Sequence, residues 1–313
     1  MDTLPLELHT QIFQFACTDD GSTARALSLV SRYVRAAAAP FHYQSLAISG
    51  LDQMNELVAR LEAIPPHLRR IRRLFLSDWT HADTQKRSMS LTDMERYDAE
   101  KALASRILDF AAPTLESLAV VASCPYTAPP LVGHLFSVPL PRLRELSIHG
   151  FYPFPRLPGT MPKLEQLHLS GNRNPHGLFQ LGALEAACPN LTHLRVSDVA
   201  NATSFARELH AAALPPTDAS CDTSPFPTVL PSRLQNIVVE VRKLQQSVRQ
   251  KGSVKRGTQA AHEKMLALLR EVQLRRGDTR LESFLVIENE GCDAYDASRR
   301  DWLGLPGDVD STL

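Results

Sequence analysis

Pro162-Lys163-Leu164-Glu165-Gln166-Leu167-His168-Leu169 sets a pattern that much of the chain repeats. A proline is followed by a leucine two residues later, by a second leucine after three more, and by an aliphatic residue two positions on. The last two apolar residues therefore point to one face of a short β-strand. The leading leucine precedes the strand and is predicted to fill the interior behind it. The same pattern recurs at residues 113–120, 141–148 and 189–196.

The spacing of these copies predicts a stack of repeated units. The leading leucines are 28, 21 and 27 residues apart, close to the range of about 20–29 residues for leucine-rich repeats. Looser copies of the pattern lie at residues 71–76, 234–239 and 281–286. The leading positions are 44 residues apart from 71 to 115, 43 from 191 to 234 and 47 from 234 to 281. Each distance is long enough for an insertion or an unrecognised repeat. One such unit cannot bury its own apolar face, so neighbours must stack. We expect about seven or eight strands; the alternative is a set of unrelated amphipathic strands.

The segment from Leu164 to Asn172 reads L-x-x-L-x-L-x-x-N and resembles the full leucine-rich-repeat signature. The other copies lack this asparagine. Apolar residues at helical spacing lie between the strands, and each such segment is followed by proline, which disfavours continuation of a helix. These segments predict outer helices at residues 51–61, 94–111, 181–188 and 205–212.

A helical pattern opens the chain before the repeats begin. Pro5 suits a first helical position, where its missing N–H would have no partner anyway. Turn residues at 19–22 end this first helix, and a second helical pattern follows. About forty residues thus predict two or three short helices with more apolar surface than they can bury alone. The apolar positions of the two patterns are Leu8, Ile12, Phe15 and Ala16, then Leu27, Val30, Val34, Ala37 and Phe41.

Three segments of this region, taken in order, resemble the F-box of fungal F-box proteins. They are a Leu-Pro-x-Glu opening at residues 4–7, a Leu-x-Leu-Val-Ser-Arg centre at residues 27–32 and a Pro-x-x-Tyr close at residues 40–43. In that family the segment is a three-helix module that docks on the Skp adaptor of a cullin–RING ubiquitin ligase. The resemblance implies that six residues face the adaptor or shape its docking surface: Leu4, Pro5, Leu8, Ile12, Val30 and Arg32.

The sequence therefore predicts an α/β fold in which a short N-terminal three-helix F-box, residues 1–48, precedes an irregular leucine-rich-repeat solenoid. The solenoid, a curved parallel sheet with outer helices, is expected over residues 49–300, and residues 301–313 are expected to form a tail. A proline-rich stretch at residues 214–231 predicts an exposed loop or a disordered insertion. The basic stretch at residues 242–256 predicts a flexible arm or the start of a helix. A solvated surface is favoured there over nuclear import or phosphate binding.

Charge and composition narrow the classes of function. The chain has 34 basic and 34 acidic side chains, a balance that gives no support for a nucleic-acid or membrane-surface partner. It has no apolar run near the roughly 20 residues of a membrane span, and its first residues lack the basic start of a signal peptide. The five cysteines are scattered and odd in number, which fits reduced thiols. We therefore expect a cytoplasmic or nuclear protein.

Catalytic and metal-binding motifs are missing from the sequence. It has no glycine-rich phosphate loop, no nucleophile elbow and no Cys-x-x-Cys pair. His262 and Glu263 begin a zinc-binding motif, but Leu266 stands where the second imidazole ligand should be. We predict no catalytic residue, no metal site and no cofactor. Three histidines of the repeat strands are predicted to lie on a solenoid surface rather than to bind metal: His149, His168 and His193.

The F-box resemblance implies a substrate-recognition subunit of an SCF-type cullin–RING ubiquitin ligase. Its F-box would bind the Skp adaptor, its solenoid would bind an unknown protein substrate, and partner enzymes would supply the chemistry. The alternative is a non-catalytic leucine-rich-repeat scaffold whose F-box-like helices only cap the solenoid, since solenoids require terminal caps. The accessibility of Leu4, Pro5 and Ile12 separates these two hypotheses. An enzyme with an unusual site is the third class.

Overall fold

A computed structural model describes residues 5–80, 94–155, 157–214, 227–244, 252–290 and 294–305. The chain divides into two compact units, of which the first contains residues 1–143 and 293–313 and the second contains residues 144–292. In the described residues each strand pairs in parallel with its neighbour in chain order within its unit. The predicted α/β class and the parallel pairing of the repeat strands are thereby confirmed.

The described residues form ten α-helices and eight strands. The helices are α1 (Leu6–Ala16), α2 (Ser22–Val30), α3 (Arg32–Ala38), α4 (Gly50–Ala63), α5 (Met94–Ala111), α6 (Ala128–Ser137), α7 (Ala183–Ala187), α8 (Thr203–Ala213), α9 (Gly252–Leu274) and α10 (Ala294–Leu303). The strands are β1 (Ser45–Ser49), β2 (Arg73–Ser77), β3 (Ser117–Ala122), β4 (Glu145–Gly150), β5 (Gln166–Ser170), β6 (His193–Val199), β7 (Asn236–Arg242) and β8 (Ser283–Asn289). Short 3-10 helices occupy Ala39–Phe41, Pro66–Leu68 and Arg276–Asp278.

Helices α1, α2 and α3 form a small module with its own apolar core. Asp19 begins the turn into α2, where its carboxylate accepts the backbone N–H groups of Gly21 at 3.0 Å and Thr23 at 2.9 Å. Ser31 caps α3 by accepting the N–H of Val34 at 3.1 Å. Both contacts satisfy donors that a helix start otherwise leaves unpaired. The buried core of the module consists of Phe13, Cys17, Ala24, Val34, Ala37, Ala38 and Phe41.

The strands β1, β2 and β3 of the first unit are covered by α10 on one face. Tyr295 and Trp302 of α10 pack against Phe75 of β2, with ring centroids 5.4 and 5.9 Å away. The carbonyl of Trp302 accepts a hydrogen bond from the Arg73 guanidinium at 2.7 Å, and the hydroxyls of Ser49 and Tyr295 lie 2.8 Å apart. The residues of β2 that flank Phe75 in the chain point to the opposite face, and they are also buried. Both faces of β2 are therefore buried.

The five strands of the second unit bring the apolar positions of the repeats into two aligned rows. Residues at equal positions in the repeat pattern are paired across each neighbouring pair of strands. Because strand side chains alternate between faces, both rows lie on the buried face. The first row contains Leu146, Leu167, Leu194, Ile237 and Phe284, and the second contains Ile148, Leu169, Val196, Val239 and Val286.

Three segments outside the strands differ from the sequence-based expectation or extend it. Residues 301–303 end α10, whereas a tail is expected from the sequence at residues 301–313. Tyr295 and Trp302 are seven positions apart and share the helix face that packs on β2. Helix α9 begins within the basic stretch of residues 242–256, whose residues 245–251 lie outside the described part. Residues 215–226 of the proline-rich stretch also lie outside it, whereas Leu230 is buried.

Gly171 and Gly150 bring the backbones after two neighbouring strands into close contact. Gly171 has a φ of +93°, and a Cβ built on it would lie 2.6 Å from the Gly150 nitrogen. We expect Gly171→Ala to lower the free energy of unfolding, measured by urea denaturation, by more than about 3 kcal/mol, because neither backbone can retreat without disturbing the strands. Gly159→Ala is the control, since Gly159 has a φ of +69° but no atom within 4 Å of its built Cβ. Equal losses for the two variants would contradict this explanation.

Asp78 is buried at the end of β2, where its carboxylate accepts the backbone N–H groups of Ser123 at 3.0 Å and Cys124 at 2.9 Å. Burial raises the pKa of this carboxyl to about 6. The folded state therefore takes up a proton at a higher pH than the unfolded chain does. The resulting stabilisation is complete below the ordinary carboxyl pKa and is lost as the pH rises through about 6.

We expect the free energy of unfolding of the wild type, relative to that of Asp78→Asn, to fall by on the order of 3 kcal/mol between about pH 4 and pH 7. Chemical denaturation of both proteins across this range measures the difference. Asp52→Asn, which removes an exposed carboxylate on α4, is the control. A relative pH dependence as steep for the control would show that the effect does not come from Asp78.

Candidate protein-interaction surfaces

Helix α1 buries a different face from the one that its apolar periodicity marks. His9, Phe13 and Cys17, four positions apart, point inward. The His9 Nδ1 atom lies 3.0 Å from the Tyr33 hydroxyl, and the rings of His9 and Phe13 are stacked with centroids 6.0 Å apart. These contacts fix α1 against the start of α3. The stripe of Leu8, Ile12, Phe15 and Ala16 is therefore left on the outside.

The exposed large apolar side chains of the module form what we call the N-terminal apolar surface. Four of its members lie on α1 and three lie at the junction of α2 and α3. The contact between His9 and Tyr33 joins the two helices α1 and α3, which carry or adjoin these groups. Apolar side chains that cluster at a surface are typical of protein-binding sites. The members are Leu6, Leu8, Ile12, Phe15, Leu29, Val30 and Tyr33.

The structure describes five of the six residues predicted to bind the adaptor, and all five are exposed. Leu8 and Ile12 lie one turn apart on α1, with exposed fractions of 43% and 50%. Pro5 immediately precedes α1, and its carbonyl accepts the N–H of Leu8 at 3.1 Å. Val30 ends α2 and Arg32 begins α3. Leu4 lies outside the described residues.

Polar contacts attach the three-helix module to β1. The buried Gln44 side chain donates hydrogen bonds to the carbonyls of Gln14 at 2.7 Å and Cys17 at 3.0 Å. These carbonyls end α1 and would otherwise lack partners. The Ser45 hydroxyl donates to the carbonyl of Asp19. The side of the module that carries these contacts is therefore distinct from its N-terminal apolar surface.

A second surface, which we call the polar ladder, lies on the face of β4–β8 opposite to the apolar rows. Its middle contains serine and histidine side chains from neighbouring strands. The His168 Nε2 atom is 2.8 Å from the Ser197 hydroxyl, and its Nδ1 atom is 3.4 Å from that of Ser147. The His149 Nδ1 atom is 3.1 Å from the Ser170 hydroxyl. This face can offer hydrogen-bond donors and acceptors to a partner.

Charged groups continue the polar ladder across β6, β7 and β8. Glu240 accepts hydrogen bonds from the Arg195 Nε atom at 2.7 Å and from the Asn289 amide at 3.0 Å. Arg242 pairs with Asp198 at 2.7 Å. The sequence pattern does not reveal these pairs, because their members come from separate repeats. Along these strands, polar residues alternate with the apolar residues of the buried rows, and this alternation could have identified the polar face from the sequence.

The histidines and cysteines give no metal site in the part of the chain that the structure describes, where no group of three potential ligands occurs. His262 is buried on α9, beside the buried Leu266 one turn later. His193 lies near the Thr192 hydroxyl, at 2.8 Å. Three of the cysteines are described, and all three are buried free thiols: Cys17, Cys124 and Cys188.

Comparison with known proteins leaves the family open, because no protein-family model and no curated protein matches this sequence. The F-box and leucine-rich-repeat resemblances therefore stay predictions that rest on the residues quoted above. Within the described ranges, no helix combines the length and the apolar character needed to cross a membrane.

The polar ladder is expected to stabilise the second unit only where its ion pairs are shielded from water. Glu240 is buried beneath Arg195, whereas Glu165, which precedes β5 and lies outside the ladder, forms an exposed pair with Arg144 at 3.1 Å. We expect Glu240→Ala to lower the free energy of unfolding by about 2 kcal/mol, because two donors lose a charged acceptor. Glu165→Ala should cost at most about 0.5 kcal/mol. Thermal and urea denaturation of both variants measure this, and equal costs would refute the distinction.

Proposed function

We propose that this chain is the substrate-recognition subunit of an SCF-type cullin–RING ubiquitin ligase. The observation that carries the proposal is the N-terminal apolar surface. The module already has a buried core of its own, so the exposed Leu8, Ile12 and Val30 contribute little to that core. An apolar surface of this kind is suited to a partner that covers it. The resemblance of these positions to the F-box supports an adaptor of the Skp family as that partner.

Adaptor binding would transfer several apolar side chains from water into an interface. Complete burial of a leucine, isoleucine or valine side chain is worth about 1.5–3 kcal/mol. Leu8 and Ile12 are one turn apart and can enter neighbouring pockets as anchors. Arg32 begins α3 beside this surface and is exposed, so its guanidinium could donate hydrogen bonds to the adaptor. Affinity would thus come from α1, and orientation from the junction of α2 and α3.

The second half of the proposed function belongs to the polar ladder. In this proposal β4–β8 form part of a leucine-rich-repeat solenoid, and their open face binds a protein substrate. The ladder presents imidazole, hydroxyl, guanidinium and carboxylate groups side by side, which suits recognition of a polar protein surface. The chain itself would perform no chemical step; it would hold the substrate near the enzymes that transfer ubiquitin. Such a receptor would work in the cytoplasm or the nucleus.

A second candidate function is a non-catalytic leucine-rich-repeat scaffold in which the three helices act only as a cap. The contacts of Gln44 and Ser45 favour it, because they join the helices to β1, the first strand of the chain. A cap would be expected to bury Pro5 and Ile12 against the sheet. Both are exposed, and this supports the receptor over the scaffold.

Adaptor binding tests the proposal directly. The purified chain is mixed with a Skp-family adaptor at about 10 µM, which detects dissociation constants in the micromolar range, and the mixture is analysed by size exclusion and calorimetry. We expect a one-to-one complex. Leu8→Ala and Ile12→Ala should each weaken it at least about tenfold, because each removes an anchor from the centre of the interface.

Leu274→Ala is the matched control, because Leu274 is a leucine of the second unit with an exposed fraction of 86%. Circular dichroism establishes that all variants remain folded, as expected for substitutions of exposed side chains. Failure of the wild type to bind would refute the receptor hypothesis and leave the scaffold. Equal weakening by Leu274→Ala would show that the contact is non-specific.

A further inference from the structure

The first unit contains a cavity of about 750 Å³ between the three-helix module, β1, α4 and α10. This volume lies within the range of about 300–1,000 Å³ that is typical of small-ligand sites. The cavity is lined by residues of α2, the end of the module, β1, α4 and α10, including Arg25, His42, Arg60, Tyr295 and Arg299. None of the residues predicted to bind the adaptor lines it.

Cationic side chains from separate elements line this cavity. Burial lowers the pKa of His42, and the guanidinium groups of Arg60 and Arg25 lower it further. Arg60 of α4, Arg25 of α2 and His42 of the segment that follows α3 all line the same cavity. Cations from separate elements repel one another, so a fold that assembles them gains when an anion occupies the space between them.

The carboxylates of the cavity are already engaged. Asp20 pairs with Arg299 at 2.8 Å, and Glu56 pairs with Arg60 one turn later on α4. Arg25 donates its Nε–H to the carbonyl of Gly21 at 3.3 Å, and in the described residues it has no carboxylate partner. The remaining N–H groups of Arg25 and the imidazole of His42 are thus suited to an added anion. Guanidinium groups bind phosphate oxygens in a forked geometry.

We propose that this cavity is a binding site for a phosphate monoester, with Arg25, Arg60 and His42 contacting the phosphate oxygens. The walls beside the cations include Tyr43 and Leu46, which provide aromatic and apolar contacts for the group that carries the phosphate. The same chemistry occurs in a small phosphorylated metabolite and in a phosphorylated side chain of a peptide. The site is independent of adaptor binding and of the polar ladder.

The test uses the full chain with three probes: inorganic phosphate, phenyl phosphate and a phosphoserine peptide. Binding is measured by calorimetry, by the unfolding temperature and by the NMR titration of His42. At about 10 mM inorganic phosphate we expect the unfolding temperature to rise by about 2 °C, because the anion binds only the folded state. A bound phosphate should also raise the pKa of His42, because it places negative charge beside the imidazole.

We expect some substitutions at the cavity to weaken phosphate binding and one to strengthen it. Arg25→Gln and Arg60→Gln should each weaken binding about tenfold, because each removes a charged donor. Glu56→Gln should strengthen binding several-fold, because it removes a competing carboxylate and releases Arg60. The control is Arg207→Gln, which removes an exposed arginine of α8 that does not line the cavity; its binding should equal that of the wild type.

The choice of probe identifies the source of the phosphate group. Tighter binding of phenyl phosphate supports a small phosphorylated molecule, and tighter binding of the phosphoserine peptide supports a modified protein side chain. The absence of any effect of all three probes on the titration of His42 and on the unfolding temperature would overturn the proposal. Equal weakening by Arg207→Gln would also overturn it, because it would reveal general ionic attraction.

Discussion

The alignment of two apolar rows across β4–β8 is the constraint on which the second unit depends. Leu167 and Leu169 each pair with the equivalent residues of both neighbouring strands. A shift of one residue in β4, β5 or β6 would bury its polar ladder residues and expose its apolar ones. Correct register therefore produces the core and the polar face at once. No single repeat can achieve this, because each row is continuous only when the strands lie side by side.

The three-helix module solves the same burial problem differently, and the difference shapes its surface. Its core is complete without the sheet, and hydrogen bonds from Gln44 and Ser45 attach it to β1. Because this attachment is polar, it buries little apolar surface. The apolar stripe of α1 that begins at Leu8 therefore stays exposed. In the proposed receptor the module is thus available to one partner while the polar ladder is available to another.

The sequence predicts the features that depend on local periodicity, and it misses those that depend on distant partners. The repeat pattern identifies the strands because each strand carries its own alternation. Periodicity predicts α1 as a helix but does not reveal that Phe13 is buried and Ile12 exposed, because a histidine on the inward face, His9, finds its partner 24 residues away. The packing of Trp302 on Phe75 and the cavity between α2, α4 and α10 are not predictable from local spacing. In both, residues far apart in the chain meet.

The position of α10 has a consequence for the order in which the first unit folds during synthesis. Tyr295 reaches the hydroxyl of Ser49 across 246 residues of chain. Until residues 294–305 have left the ribosome, Phe75 has no aromatic cover, and the second unit can fold before that cover arrives. Long-range closures of this kind are slow and leave apolar surface exposed in the meantime. The first unit to be made is therefore the last to be completed.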